Sequence, residues 1–171
     1  MRAGPTTVFV AYGTNLVLEQ SPESQALPHI IEALKARGVF VNKNSRVWRS
    51  KAWPNPQDPS YNNALLRGQT TLDPFVVLQV LHDLESQAGR VRDGQRNGPR
   101  TLDLDLIAYG DEIIDERGLI LPHPRAHERR FVMGPMTDID PDWVHPVLKQ
   151  TATELYETAS IALDAHPLDE A

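Results

Sequence analysis

The sequence predicts an α+β fold, an antiparallel sheet with two helices on one face, and three features predict it. TVFVAY at residues 7–12 is a short apolar run that stops at Gly13. TLDLDLIAY at residues 101–109 alternates apolar and polar residues, as a half-buried strand does. Between these runs, two apolar stripes recur at helical spacing.

Taken in order, residues 7–12 are the first strand. A helix is expected between Pro22 and Arg37, because Leu27, Ile30, Ile31 and Leu34 fall at i, i+3, i+4 and i+7 and Gly38 supplies a stop. Residues 39–50 and 61–71 read as two strands, separated by KAWPNPQDPS, whose three prolines make it a long connection and not a tight hairpin. Asp73-Pro74 has the form of an N-cap followed by proline at the first helical position, and Val77, Val80, Leu81, Leu84 and Ala88 mark one face of a second helix up to Gly89. The Gly/Arg-rich stretch GRVRDGQRNGPR leads into the strand at 101–109. The resulting order, βαββαβ, is that of a ferredoxin-like sandwich, with residues 111–171 as a C-terminal extension carrying a loop and one or two helices, the last at about 148–160.

With 171 residues, 40% of them hydrophobic, the chain is read as one domain spanning 1–171. It contains no cysteine, so any metal must sit on oxygen or imidazole. No apolar run approaches the roughly 20 residues of a membrane span, and MRAGPTTVFVAYG does not have the form of a signal peptide, so a cytoplasmic protein without membrane contact is expected. The formal charge of −6 opposes extended binding to a nucleic-acid backbone.

In the strand 101–109, Leu102, Leu104 and Leu106 share one face, and Thr101, Asp103 and Asp105 share the other. Two carboxylates side by side repel unless a cation lies between them, and magnesium is held by one or two carboxylates plus substrate phosphates. The alternative is a solvated strand face. The preceding loop sets Arg90, Arg92, Arg96 and Arg100 against Asp93 alone, four positive charges against one negative, in an acidic protein. Arginines facing a carboxylate pair suit a nucleoside triphosphate, whose developing charge they can neutralise. His123, between Pro122 and Pro124, reads as a rigidly held donor beside phosphate or metal, and Arg129 as a further phosphate contact. His123 and His127 lie four apart, but no HExxH pattern occurs to support zinc. A P-loop, a dinucleotide-binding glycine fingerprint, the protein-kinase motifs and a nucleophile elbow are all missing from the sequence.

GRVRDGQRNGPRTLDLDLIAYG closely resembles the signature of 6-hydroxymethyl-7,8-dihydropterin pyrophosphokinases of folate biosynthesis. VFVAYGTNL, YNNAL and LPHPRAHERRFVMGPMTDIDP extend the resemblance, in the family's order, over about residues 7–141. It implies a diphosphokinase that moves diphosphate from ATP to the pterin hydroxymethyl group and releases AMP. By position, Asp103 and Asp105 would bind two magnesium ions, Arg90 and Arg100 would contact the ATP phosphates, and His123 and Arg129 would belong to the nucleotide side. Glu85 and Leu106 would lie near the nucleoside. Tyr61 and Phe131 would sandwich the pterin, Asn63 would hydrogen-bond its edge, and Trp53 would help to cover it. The partners implied are these small molecules alone, and a monomer is expected.

The sequence departs from the family pattern at Asn97, where a tryptophan is common, at His82, at Pro124 and in SKAWP at residues 50–54. A ferredoxin-like RNA-binding module is disfavoured by the acidic charge and by aspartates where exposed aromatics would be needed. A magnesium-dependent nuclease is disfavoured by the aromatic pair and modest basic surface. A non-catalytic family member would not require both aspartates together with Arg90 and Arg100.

Overall fold

A computed structural model of the chain describes residues 4–15, 23–52, 54–88 and 102–168. Its elements are β1 (Thr6–Thr14), α1 (Glu23–Lys35), β2 (Val39–Asn44), β3 (Trp48–Ser50), β4 (Tyr61–Thr70), α2 (Pro74–Gln87), β5 (Asp103–Tyr109), β6 (Ile114–Glu116), β7 (Leu119–Leu121), α3 (Arg130–Ile139), α4 (Ala152–Thr158) and β8 (His166–Pro167). A single 3-10 turn, Ala126–Glu128, precedes α3. No helix among the described residues is long and apolar enough to cross a membrane.

The main sheet runs β5-β1-β4-β3-β8, with β2 also on β4, and every pairing is antiparallel. Alternation along the strands sends Val8, Val10, Tyr12, Leu66, Leu104 and Leu106 to one face, where they pack with Leu27, Leu34, Val77, Leu81 and Leu84 of α1 and α2. Phe9, Leu65 and Ile107 point the other way, against Val132, Met133 and Met136 of α3 and Leu155 of α4. Both faces of the sheet are therefore covered. The later helices do not merely trail from the domain but close the face opposite α1 and α2.

Local chemistry explains most boundaries. Asp73 caps α2, its Oδ1 accepting from Phe75 N at 2.9 Å, with Pro74 at the first helical position. Thr151 and Glu154 form a reciprocal capping box on α4. The strand expected over 39–50 is two strands because Ser45 intervenes. Its Oγ accepts from Leu65 N at 2.8 Å, and its N–H donates to Leu65 O at 2.9 Å.

The alternation expected over 101–109 also changes hand. Ile107 is an extra residue opposite the Phe9/Val10 junction, since Val10 pairs Leu106 while Phe9 pairs Ala108. Ala108 consequently falls on the α3 side and Tyr109 on the α2 side, where Tyr109 Oη donates to Leu72 O at 2.6 Å. The bulge places the carbonyl of Ile107 where His123 N–H donates to it at 2.8 Å.

Candidate active site

Among the described residues β5 is an edge strand, so it offers two faces and an open rim. Leu104 and Leu106 anchor it in the core, which turns Asp103 and Asp105 to the opposite face, half-exposed. Asp103 pairs with Gly13 of β1, and Gly13 pairs with Asn63 of β4, so the three stand in a row across the sheet. Gly13 keeps that row open. A Cβ there would meet Asn63 Oδ1 at 3.6 Å, Asp103 Cβ at 3.9 Å and Tyr61 Cδ1 at 4.0 Å. This main-chain gap brings Asn63, Tyr61 and a carboxylate to one spot.

Along the β5 rim lies an open cleft of about 820 Å³. One wall is α2, with Leu78, His82 and Glu85; another is the β6–β7 hairpin, residues 115–120; His123, Pro124 and Arg129 close the third side, and Asp103 and Asp105 line the floor. Glu85 is 2% exposed, and its Oε1 accepts from Leu104 N at 2.8 Å. The buried carboxylate thus satisfies a backbone donor on the open rim of β5 and ties α2 to the strand.

His123 is held by its own N–H on Ile107 O, and its Nδ1 accepts from Arg125 N at 3.2 Å. A ring whose Nδ1 accepts carries its proton on Nε2 when neutral. Burial lowers its pKa to about 4, aided by the charges of Arg129 and Arg125. The imidazole is therefore neutral near pH 7, a hydrogen-bond donor without a full charge. Burial also lowers the pKa of Arg129, while Asp105 and, more weakly, Asp103 favour its charged form. Arg129 Nε is buried with no acceptor among the described residues. An unmet donor beside two carboxylates suits an anionic ligand that brings a cation with it.

Of the residues singled out in the sequence, Asp103, Asp105, Glu85, Leu106, His123 and Arg129 converge on this cleft. The side chain of Leu106 is 4% exposed and belongs to the core, so only its main chain on the rim is open to a ligand. Asn63 is buried, with Nδ2 donating to Ser50 Oγ at 3.0 Å. Tyr61 opens β4. Phe131 sits in the first turn of α3, half-buried against the second core, with the Arg129 guanidinium 5.8 Å from its ring centre. Trp53, Arg90, Asn97 and Arg100 lie outside the described residues.

The hairpin wall was missed, although IDERGLIL carries its signal: the turn pair Arg117-Gly118, with Gly118 at φ +95°, leads into the apolar run Leu119–Leu121. Gly13 was also missed as a determinant of the opening. His127 stands edge-on against His145, ring centres 5.8 Å apart. Among the described residues no group of three or more His, Cys, Asp or Glu side chains could hold a metal ion. Any ion on Asp103 and Asp105 would take its other ligands from water or from a bound phosphate, which is how magnesium is commonly held.

A family model described as 7,8-dihydro-6-hydroxymethylpterin-pyrophosphokinase matches residues 9–141. The 2-amino-4-hydroxy-6-hydroxymethyldihydropteridine pyrophosphokinase of Haemophilus influenzae is 38% identical over 153 residues, covering 87% of this chain and 90% of its own length. The enzyme of that name from Synechocystis sp. is 41% identical over 128 residues, which are 75% of this chain and 65% of the relative. The folic acid synthesis protein fol1 of Pneumocystis carinii is 36% identical over 150 residues, 88% of this chain but only 20% of that protein. The chain thus spans a fifth to just under two thirds of these last two relatives. In fold it is similar to wild-type HPPK-DHPS of Plasmodium falciparum solved with pteroate, with a TM-score of 0.70 at 12% identity over 92% of this chain and 43% of that one.

Proposed function

This chain belongs to the 7,8-dihydro-6-hydroxymethylpterin-pyrophosphokinase family, and from that premise we propose that it transfers the diphosphate of ATP to the hydroxymethyl group of 6-hydroxymethyl-7,8-dihydropterin, releasing AMP. The observation that carries this reading is the convergence of Asp103, Asp105, His123 and Arg129 on one cleft along the free rim of β5. The strand order, with β5 and β4 flanking β1, supports the ferredoxin-like form of the fold.

In this reading the pterin hydroxyl oxygen bonds to the β-phosphorus as the bond from that phosphorus to the α-phosphate oxygen breaks. AMP departs with the electron pair, and the hydroxyl proton leaves to solvent or a phosphate oxygen. Asp103 and Asp105 would hold magnesium, which supplies charge neutralisation on the triphosphate. Arg129 offers its unmet donor to a phosphate oxygen, and neutral His123 donates from Nε2. Asn63, with its amide set by Ser50, reads the pterin edge across the gap at Gly13, and Tyr61 and Phe131 supply flat faces for the ring. Arg90 and Arg100 complete the phosphate contacts, and Trp53 and Glu85 the pterin and nucleoside ends. Binding both substrates in register supplies the rate enhancement, without a covalent intermediate on the protein.

The test is AMP release from ATP, followed with and without 6-hydroxymethyl-7,8-dihydropterin and magnesium. Release that requires both is the expected result; release indifferent to the pterin, or none, would overturn the proposal.

A further inference from the structure

The segment after α4 lies beyond the stretch that the family model matches, which ends at 141, yet it touches both ends of the site. At its start, Ser160 N and Ile161 N both donate to Glu128 O, at 3.1 and 2.9 Å, and Arg130 N donates back to Ile161 O at 3.0 Å. These bonds form a parallel bridge at Arg129 itself, grasping the main chain on either side of that residue. At its other end, β8 pairs with β3, His166 opposite Arg49 and Pro167 opposite Trp48, and Leu168 N donates to Val47 O at 2.8 Å. Between the two, Asp164 Oδ2 accepts from Lys51 N at 2.6 Å. Lys51 follows Ser50, whose hydroxyl accepts from the amide of Asn63.

We infer that residues 160–168 act as a positioning strap: one end fixes Arg129 on the phosphate side, and the other fixes Ser50, and through it Asn63, on the pterin side. The inference rests on the reading above for what each end binds. Without the strap, β3 is a three-residue edge strand, and among the described residues the remaining main-chain hydrogen bonds about Arg129 are those of its own 3-10 turn and of α3. Short edge strands and single turns are the parts of a fold that open first. The strap adds main-chain bonds to both, and each group of bonds lies next to one half of the site.

Two single variants separate the ends. Asp164→Ala removes the acceptor for Lys51 N and is expected to weaken binding of the pterin roughly fivefold, the scale of one net hydrogen bond, with ATP affinity nearly unchanged. Asp164→Asn keeps an acceptor and should bind as the unmodified protein does. Ile161→Pro removes a donor to Glu128 O and should show the opposite bias, with ATP weakened more than pterin, which senses that end through Phe131 alone. Hydrogen exchange on the ligand-free proteins should rise at residues 49–52 in Asp164→Ala and at 128–131 in Ile161→Pro. Because that readout needs no substrate, it decides the inference even if the unmodified protein fails to bind pterin, an outcome that would count against the proposed function alone. Equal losses of both ligands in both variants, or unchanged exchange at the named segments in folded protein, would overturn it. Should Ile161→Pro not fold, the contrast between Asp164→Ala and Asp164→Asn still decides.

Discussion

Gly134 sits in α3 directly beneath the indole of Trp48, and a methyl group has no room there. An added Cβ would fall 2.6 Å from Trp48 Cη2 and Cζ3 and 2.9 Å from Cε3. The ring is not free to yield: its Nε1 donates to Asp138 Oδ2 at 2.9 Å, Tyr156 stands edge-on with ring centres 6.0 Å apart, and the Arg46 guanidinium lies 5.9 Å from its centre. Gly134→Ala therefore either compresses a rigid contact or pushes α3 off the sheet. Overpacking of this kind costs about 1–3 kcal/mol, and losing the indole hydrogen bond adds about 1 kcal/mol, so a total of roughly 2–4 kcal/mol is expected. Because α3 carries Phe131 in its first turn and follows directly on Arg129, catalysis should fall in protein that remains folded. Urea unfolding of Gly134→Ala, Trp48→Ala and the double variant measures the coupling. The double variant should be less destabilised than the sum of the singles by more than about 1 kcal/mol, because removing the indole relieves the clash. A loss below about 1 kcal/mol for Gly134→Ala, or strict additivity, would refute the reasoning.

Asp103→Ala and Asp105→Ala should each nearly abolish AMP release while leaving the unfolding midpoint close to that of the unmodified protein, since both carboxylates face away from the leucine core; activity within about tenfold, or 1.4 kcal/mol of transition-state stabilisation, would remove them from the chemistry. His123 titrates at about 4 in the folded protein against an ordinary 6.5. Between those values the unfolded chain binds the proton and the folded one does not, so its contribution makes stability fall as pH drops through that window, by up to about 1.4 kcal/mol per pH unit. Urea titrations from pH 7 to pH 4 should show a shallower decline for His123→Gln; parallel curves would count against the burial argument. Lys149 holds φ at 57°, a left-handed backbone for which a β-carbon costs about 1–2 kcal/mol. Lys149→Gly should accordingly raise the thermal midpoint by about 1–4 °C, and a lower midpoint would show that the strain is absent.

What could be read in advance was whatever the chain states locally. TVFVAY, the Asp73-Pro74 cap with its apolar stripe, and the carboxylates alternating with leucines in TLDLDL depend on neighbours two to four residues away, and they describe β1, α2 and the start of β5. Features made by distant partners were not legible. The break at Ser45 depends on Leu65, and the reversal after Ile107 depends on the register with Phe9. α3 was obscured because RRFVMGPM contains Gly134 and Pro135, which read as breakers. Pro135 leaves the carbonyl of Phe131 without its helical donor, and Gly134 is there for the indole of Trp48. In the site, the carboxylate pair, His123 and Arg129 were readable as chemistry. That Glu85 is buried and bound to a rim N–H, and that Leu106 points into the core, depends on how α2 docks on β5.

The central position of β1 has a kinetic consequence. Its partners are β4 and β5, so Gly13 must find Asn63 and then Asp103, ninety positions along the chain, before the row that opens the site exists. Both pairings that build this row close long loops, and such topologies fold slowly, because chain entropy is lost before the pairing that compensates it forms. On the ribosome, α1, β2, β3 and β4 can assemble on β1 while its other edge stays bare, waiting for β5. That bare edge is the stage at which the nascent chain is most exposed to pairing with a neighbour, and it lasts until the same strand that carries Asp103 and Asp105 has emerged.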